Sequence, residues 1–118
     1  MKRRAEVAEE YTATYLENVS EYFAGAAGLW RMSPPLRYER YEATGEDVND
    51  FVGHEAQYVI VSAANVMFSG PETYIFPATA SGEIVTWGEL PGSYKGGLSQ
   101  QQALRNAGYT PVGEGLPR

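Results

Sequence analysis

The run Tyr58-Val59-Ile60-Val61-Ser62-Ala63-Ala64 sets β-branched and apolar residues at successive positions. Unbroken apolarity over so short a run suits a strand covered on both faces. Downstream, Ser69-Gly70-Pro71-Glu72 is turn chemistry and Thr73-Tyr74-Ile75-Phe76 is a second β-rich run. Pro77 cannot donate a ladder hydrogen bond, which places that strand on an edge or at a bulge. Ser81-Gly82 then turns the chain into Glu83-Ile84-Val85-Thr86-Trp87, a hairpin partner, and Leu90-Pro91-Gly92-Ser93 ends it.

A short helix follows, with both ends spelled out. Ser99 and Gln102 read as a capping box, the hydroxyl taking one free backbone N–H and the amide reaching back to another. Leu98 and Ala103 suit a hydrophobic staple. Gly108 supplies the left-handed residue that closes a helix, Tyr109 folds back onto Leu104, and Pro111 forbids continuation. The spacing predicts a helix over residues 100–107, about 12 Å long. Alone it is unstable, so it must dock on an apolar surface.

Upstream, Ala8, Tyr11, Tyr15, Val19 and Tyr22 recur at helical spacing with Glu9, Glu10, Glu17 and Glu21 mostly elsewhere. Gly25 and Gly28 end that helix. Pro34-Pro35 forces extended chain, and residues 36–43 read as a further strand with Tyr38 and Tyr41 on opposite faces. Arg37, Glu39 and Arg40 favour an exposed edge. These elements predict a single α+β domain over residues 1–118. It has an antiparallel three- to four-stranded meander sheet with a short C-terminal helix (residues 36–109) and a longer N-terminal helix (residues 6–24). Flexible tails are expected at residues 1–5 and 110–118. The expected core is Val59, Val61, Ile75, Ile84, Trp87, Leu98 and Leu104.

A chain of 118 residues can bury a real core without metal or disulfide. It has no cysteine, which fits a reducing cytoplasm. Lys2-Arg3-Arg4 resembles the start of a signal peptide, but Glu6, Glu9 and Glu10 sit where its apolar segment belongs. No run is long and apolar enough to cross a membrane. A net charge of -6 argues against general nucleic-acid binding.

That charge is uneven, for Glu42, Glu46, Asp47, Asp50 and Glu55 occupy a stretch without Lys or Arg. A solvated loop explains them most simply. Calcium would be served by such hard oxygens, but Glu46, Asp47, Asn49 and Asp50 lack the spacing of an EF-hand. An acidic patch that imitates nucleic acid or meets a basic partner is the third reading, though five carboxylates are few for a mimic. His54, the single histidine, neighbours Glu55, yet sequence adjacency does not make two side chains meet. Ser62 and Ser69 lack the setting of a nucleophile. The stretch Gly92-Ser93-Tyr94-Lys95-Gly96-Gly97 has its lysine before the last glycines, the reverse of a P-loop. No catalytic, cofactor-binding or metal-ligating residue is singled out. Nine tyrosines require an amphipathic setting, either a half-buried core or a contact surface.

Phe68-Ser69-Gly70-Pro71-Glu72-Thr73-Tyr74-Ile75-Phe76-Pro77, Trp87-Gly88-Glu89-Leu90-Pro91-Gly92-Ser93 and Gln102-Ala103-Leu104-Arg105-Asn106-Ala107-Gly108-Tyr109 carry a resemblance. In this C-terminal half the chain resembles small uncharacterised accessory proteins of tailed phages that infect actinobacteria. The resemblance implies a viral setting, the host cytoplasm as compartment and a protein–protein function, and it transfers no site residue.

The expected function is therefore non-enzymatic protein binding, directed at a host or phage protein. Its expected surface joins Glu46, Asp47, Asp50 and Glu55 with the exposed tyrosines Tyr11, Tyr15 and Tyr22, suited to a basic partner. The stripe Tyr11, Tyr15, Tyr22 with Val19 is expected either to dock on the chain's own sheet, the simpler option, or to form a homodimer through the N-terminal helix. The alternatives are a virion structural component, and a small enzyme with His54 as base and Glu55 or Glu72 orienting it.

Overall fold

A computed structural model describes residues 10–20, 26–66, 70–86 and 99–117. The chain order is β1 (Thr12–Asn18), β2 (Ala26–Gly45), β3 (Val48–Val66), β4 (Gly70–Ala78), α1 (Gln100–Asn106) and β5 (Thr110–Val112). All five strands lie in one sheet in the order β4-β3-β2-β1-β5. Successive strands from β1 to β4 pair antiparallel, while β5 runs parallel to β1, Thr12 facing Thr110 and Thr14 facing Val112. The sheet is therefore mixed, not the purely antiparallel meander expected. Its fifth strand comes from residues expected to be a tail.

The expected N-terminal helix is overturned as well. Where it was placed, the described residues form β1. Tyr11-Thr12-Ala13-Thr14-Tyr15 alternates threonine with alanine and tyrosine, and this period of two suits a pleated surface. Pairing on both edges, to β2 and to β5, outweighs the helix preference of the interspersed glutamates. The register with β2 slips between Tyr15 and Glu17. A strand's period of two also puts residues four apart on one face, as with Tyr11 and Tyr15, and the slip then turns Val19 to the opposite face. Of the glycines expected to end the helix, Gly28 lies near the start of β2 and Gly25 lies outside the described residues.

The centre of the sheet is apolar on both faces, as Val59-Ile60-Val61 requires. On one face Trp30, Met32, Val59, Val61 and Ile75 pack under Ala103 and Leu104 of α1. On the other, Leu29 and Ile60 gather Val19, Ala27 and Ala78, with Tyr58 and Ile84 alongside. Among the expected core residues, Ile84 is half-buried, and Trp87 and Leu98 lie outside the described residues. Of the hairpin partner expected at residues 83–87, the described residues 83–86 make one isolated bridge, Ala78 to Ile84, with Val85 donating its N–H to the Pro77 carbonyl.

The helix forms where its caps place it. The Ser99 hydroxyl accepts from the Gln102 N–H, and the Gln102 side chain accepts from the Ser99 N–H. At the other end the N–H groups of Gly108 and Tyr109 donate to the carbonyls of Arg105 and Leu104, a Schellman closure with Gly108 at φ 95°. The helix is clamped to the sheet by a buried polar pair, Trp30 Nε1 donating to Gln100 Oε1 at 3.0 Å. This approach needs Gly28. A Cβ there would clash with Gln100 Oε1 and stand 3.1 Å from both Trp30 Nε1 and Tyr15 Cε1.

Among the described residues no helix is long and apolar enough to cross a membrane. Gly28→Ala is expected to push Gln100 off Trp30 and lower stability by about 1–3 kcal/mol, the usual range for overpacking. Urea denaturation measures it, and a midpoint equal to that of the unsubstituted chain would contradict the clamp.

Candidate functional site

The β2–β3 hairpin is longer than the sheet that carries it. Pairing with β1 uses residues 28–33 of β2, and pairing with β4 uses residues 58–66 of β3. Past those limits, among the described residues, β2 and β3 pair with one another alone, from Leu36–Ala56 to Gly45–Val48. Residues 36–56 thus form a two-stranded arm, about 30 Å long at the rise of a strand. Residues 36–43 are an exposed edge as their charges suggest, although they belong to a strand that is central within the body.

Between body and arm, β2 spends residues 32–35 against a single residue of β3. Pro34 and Pro35 have no N–H to give, so regular pairing stops there. At the tip, Glu46-Asp47 makes the turn, Asp47 taking a left-handed φ of 59° that aspartate tolerates better than most residues.

Alternation gives the arm two unlike faces. On one, Tyr38 stacks on His54 with centroids 5.5 Å apart. His54 Nε2 lies 3.2 Å from Glu42 Oε1, and Arg40 Nε lies 3.8 Å from the other carboxylate oxygen. Glu42 stands directly opposite Asp50, a like-charge pairing that the Arg40 guanidinium offsets in part. On the second face Arg37 pairs with Glu55 at 3.3 Å, Glu39 stands opposite Gly53, and the rings of Tyr41 and Phe51 meet edge-on at 5.1 Å. Tyr41 and Phe51 are 64% and 62% exposed, and Val48 near the turn is 52% exposed.

The expected binding surface is thereby divided. Glu46, Asp47, Asp50 and Glu55 all lie on the arm, in strand and turn rather than in a loop. Tyr11 and Tyr15 lie at β1, in the body, where Tyr11 meets the ring of Tyr109 and Tyr15 packs against Trp30. Tyr22 lies outside the described residues. Tyr15 and Val19 pack into opposite faces of the sheet, so they form no helical stripe, and the dimer expected through an N-terminal helix loses its basis.

The residues the sequence reading missed are Tyr41, Phe51 and Val48. Their signal is the turn Gly45-Glu46-Asp47 with polar and aromatic residues alternating on either side of it, as in Arg37-Tyr38-Glu39-Arg40-Tyr41 and Asp50-Phe51-Val52-Gly53-His54. The carboxylates expected to orient His54 do not do so. Glu55 points to the opposite face, and Glu72, buried on β4, accepts a hydrogen bond from the Tyr74 hydroxyl. Ser62 is buried, while Ser69 and the stretch around Lys95 lie outside the described residues. Among the described residues, no three His, Asp or Glu side chains converge as metal ligands.

At the root of the arm a hollow of about 550 Å³ opens between Tyr11, Pro34, Pro35 and Tyr109. The Tyr109 hydroxyl donates to the Pro34 carbonyl at 2.7 Å, tying the interruption in β2 to the residue that closes α1.

Comparison with protein-family models, curated proteins and solved structures finds no match.

Burial, and then the neighbouring Tyr11, hold the Tyr109 phenol above its ordinary value of 10.0. The fold prefers the neutral, donating hydroxyl, so its stabilisation is complete below pH 10.0 and falls as pH rises through the folded value. Urea midpoints recorded at increasing alkaline pH are expected to fall. Tyr109→Phe should flatten that decline and remove about 0.5–1.5 kcal/mol at neutral pH, the worth of one hydrogen bond.

Proposed function

We propose that this protein works by binding another protein, without catalysis, and that the arm is the element that binds. The observation that carries the reading is an exposed aromatic pair, Tyr41 and Phe51, with Val48 exposed nearer the turn, on a two-stranded ribbon that among the described residues projects beyond its own sheet. A ribbon of two strands is marginal in water, and exposed aromatic rings are a cost to an isolated chain. Both features are useful at an interface, where tyrosine and phenylalanine anchor in pockets of a partner.

Charge narrows the partner. The arm carries Glu39, Glu42, Glu46, Asp47, Asp50 and Glu55 against Arg37 and Arg40, a net -4 of the chain's -6. Beyond Arg40 the tip has carboxylates alone. Two such arms repel one another, which weighs against a virion component assembled arm to arm and favours a basic partner. The enzyme reading lacks support, since the hydrogen-bonding partner of His54 among the described residues is Glu42 and no nucleophile adjoins it. The resemblance to phage accessory proteins fits a partner met in the host cytoplasm, belonging either to the host or to the virus.

Immobilised protein is expected to retain a partner from an actinobacterial lysate at low salt and less of it at high salt. The double substitution Tyr41→Glu with Phe51→Glu should weaken retention by about 2 kcal/mol or more, the scale of an aromatic hot spot, while the thermal unfolding of the body persists. Equal retention by this variant would defeat the reading.

A further inference from the structure

Gly53 sits inside β3, and nothing among the described residues requires it to be glycine. A Cβ built there meets nothing within 4 Å, and its backbone is not left-handed. Glycine weakens a strand, and where no turn or internal crowding calls for it, the common reason is close approach by another molecule. Gly53 lies in the floor of a concavity of about 750 Å³ lined by Arg37, Tyr38, Glu39, His54 and Glu55.

The surroundings of this notch are specific. Glu39 stands directly across the ribbon and has no ion-pair partner among the described residues. Along the same strand, Phe51 lies on one side and Glu55, engaged by Arg37, on the other, each roughly 7 Å away by strand geometry. A guanidinium laid over the bare backbone at Gly53 would therefore reach the Glu39 carboxylate and the face of the Phe51 ring together. A larger residue at 53 would lift it from both.

We propose that the Tyr41–Phe51 face of the arm takes an extended, arginine-bearing segment of a partner protein, with one arginine seated in the notch over Gly53 between Glu39 and Phe51. This rests on the protein-binding reading and specifies the chemistry of the partner. Charge complementarity selects the occupant, because the arm's net -4 opposes a second copy and an extended basic segment matches both its sign and its flatness.

The probe is a fluorescent decapeptide of alternating arginine and threonine, titrated into the full chain at low salt, with its glutamate–threonine counterpart as control. Anisotropy is expected to rise with the basic peptide alone, and amide shifts should fall on residues 37–41 and 51–55. Gly53→Val should weaken binding about tenfold or more while leaving the melting temperature unchanged or raised, since valine favours a strand. Glu39→Gln should weaken it too. No binding of the basic peptide, shifts elsewhere on the molecule, or equal binding by Gly53→Val would each overturn the proposal. So would concentration-dependent self-association abolished by Gly53→Val, because the occupant would then be a second copy. Partner capture that survives Gly53→Val but is lost with Tyr41→Glu and Phe51→Glu overturns the notch and leaves the protein-binding reading standing. Capture unaffected by either defeats both.

Discussion

Trp30 and Gln100 are 70 residues apart in the chain and share one buried hydrogen bond. Each would be costly left alone, since an indole N–H or an amide oxygen without a partner in the core loses about 1–3 kcal/mol. Together they fix where α1 lies, because a helix of 7 residues has too little stability of its own to choose a place. Gly28 supplies the room and the Ser99 cap sets the first turn from which Gln100 reaches the indole. Once the helix is placed, its Schellman closure aims Tyr109 at Pro34 and delivers Thr110–Val112 alongside β1. The outer strand, the lower helix layer and the root of the arm all follow from that contact.

What could be read in the residues, and what could not, divides by the range of the interaction. The caps of α1 act within a few residues, so Ser99, Gln102 and Gly108 announce them. The β-branched runs of β3 and β4 carry their own periodicity. Strand β1 has no such independence, because its partners are residues 28–33 and 110–112, and a sequence window around Tyr15 contains neither. Strand β5 is 3 residues long and includes a proline, too short to show any period.

The candidate site was legible in composition and illegible in arrangement. A stretch without Lys or Arg, from Glu42 to Glu55, marked the segment that the structure builds into the arm. Its reading as a solvated loop failed because Val48, Phe51 and Val52 pair across the hairpin with residues that precede the turn. The same pairing explains His54. Neighbours in a strand face opposite ways, so Glu55 was the wrong carboxylate because it is adjacent, and Glu42 is the right one because it lies on the same face of the opposing strand. Tyr11 and Tyr15 were put on one helix face by a helical period that does not exist; at β1 Tyr11 stays exposed while meeting Tyr109, and Tyr15 packs on Trp30.

The interruption at Pro34-Pro35 also governs how motion is distributed. Without it, β2 and β3 would form one uninterrupted ladder from the tip to the core, and fraying begun at Glu46-Asp47 could unzip toward Trp30. The prolines end the regular ladder there, and the Tyr109 hydroxyl pins the break to the body. The break thus separates the arm's ladder from that of the body, the kind of boundary at which local unfolding units divide.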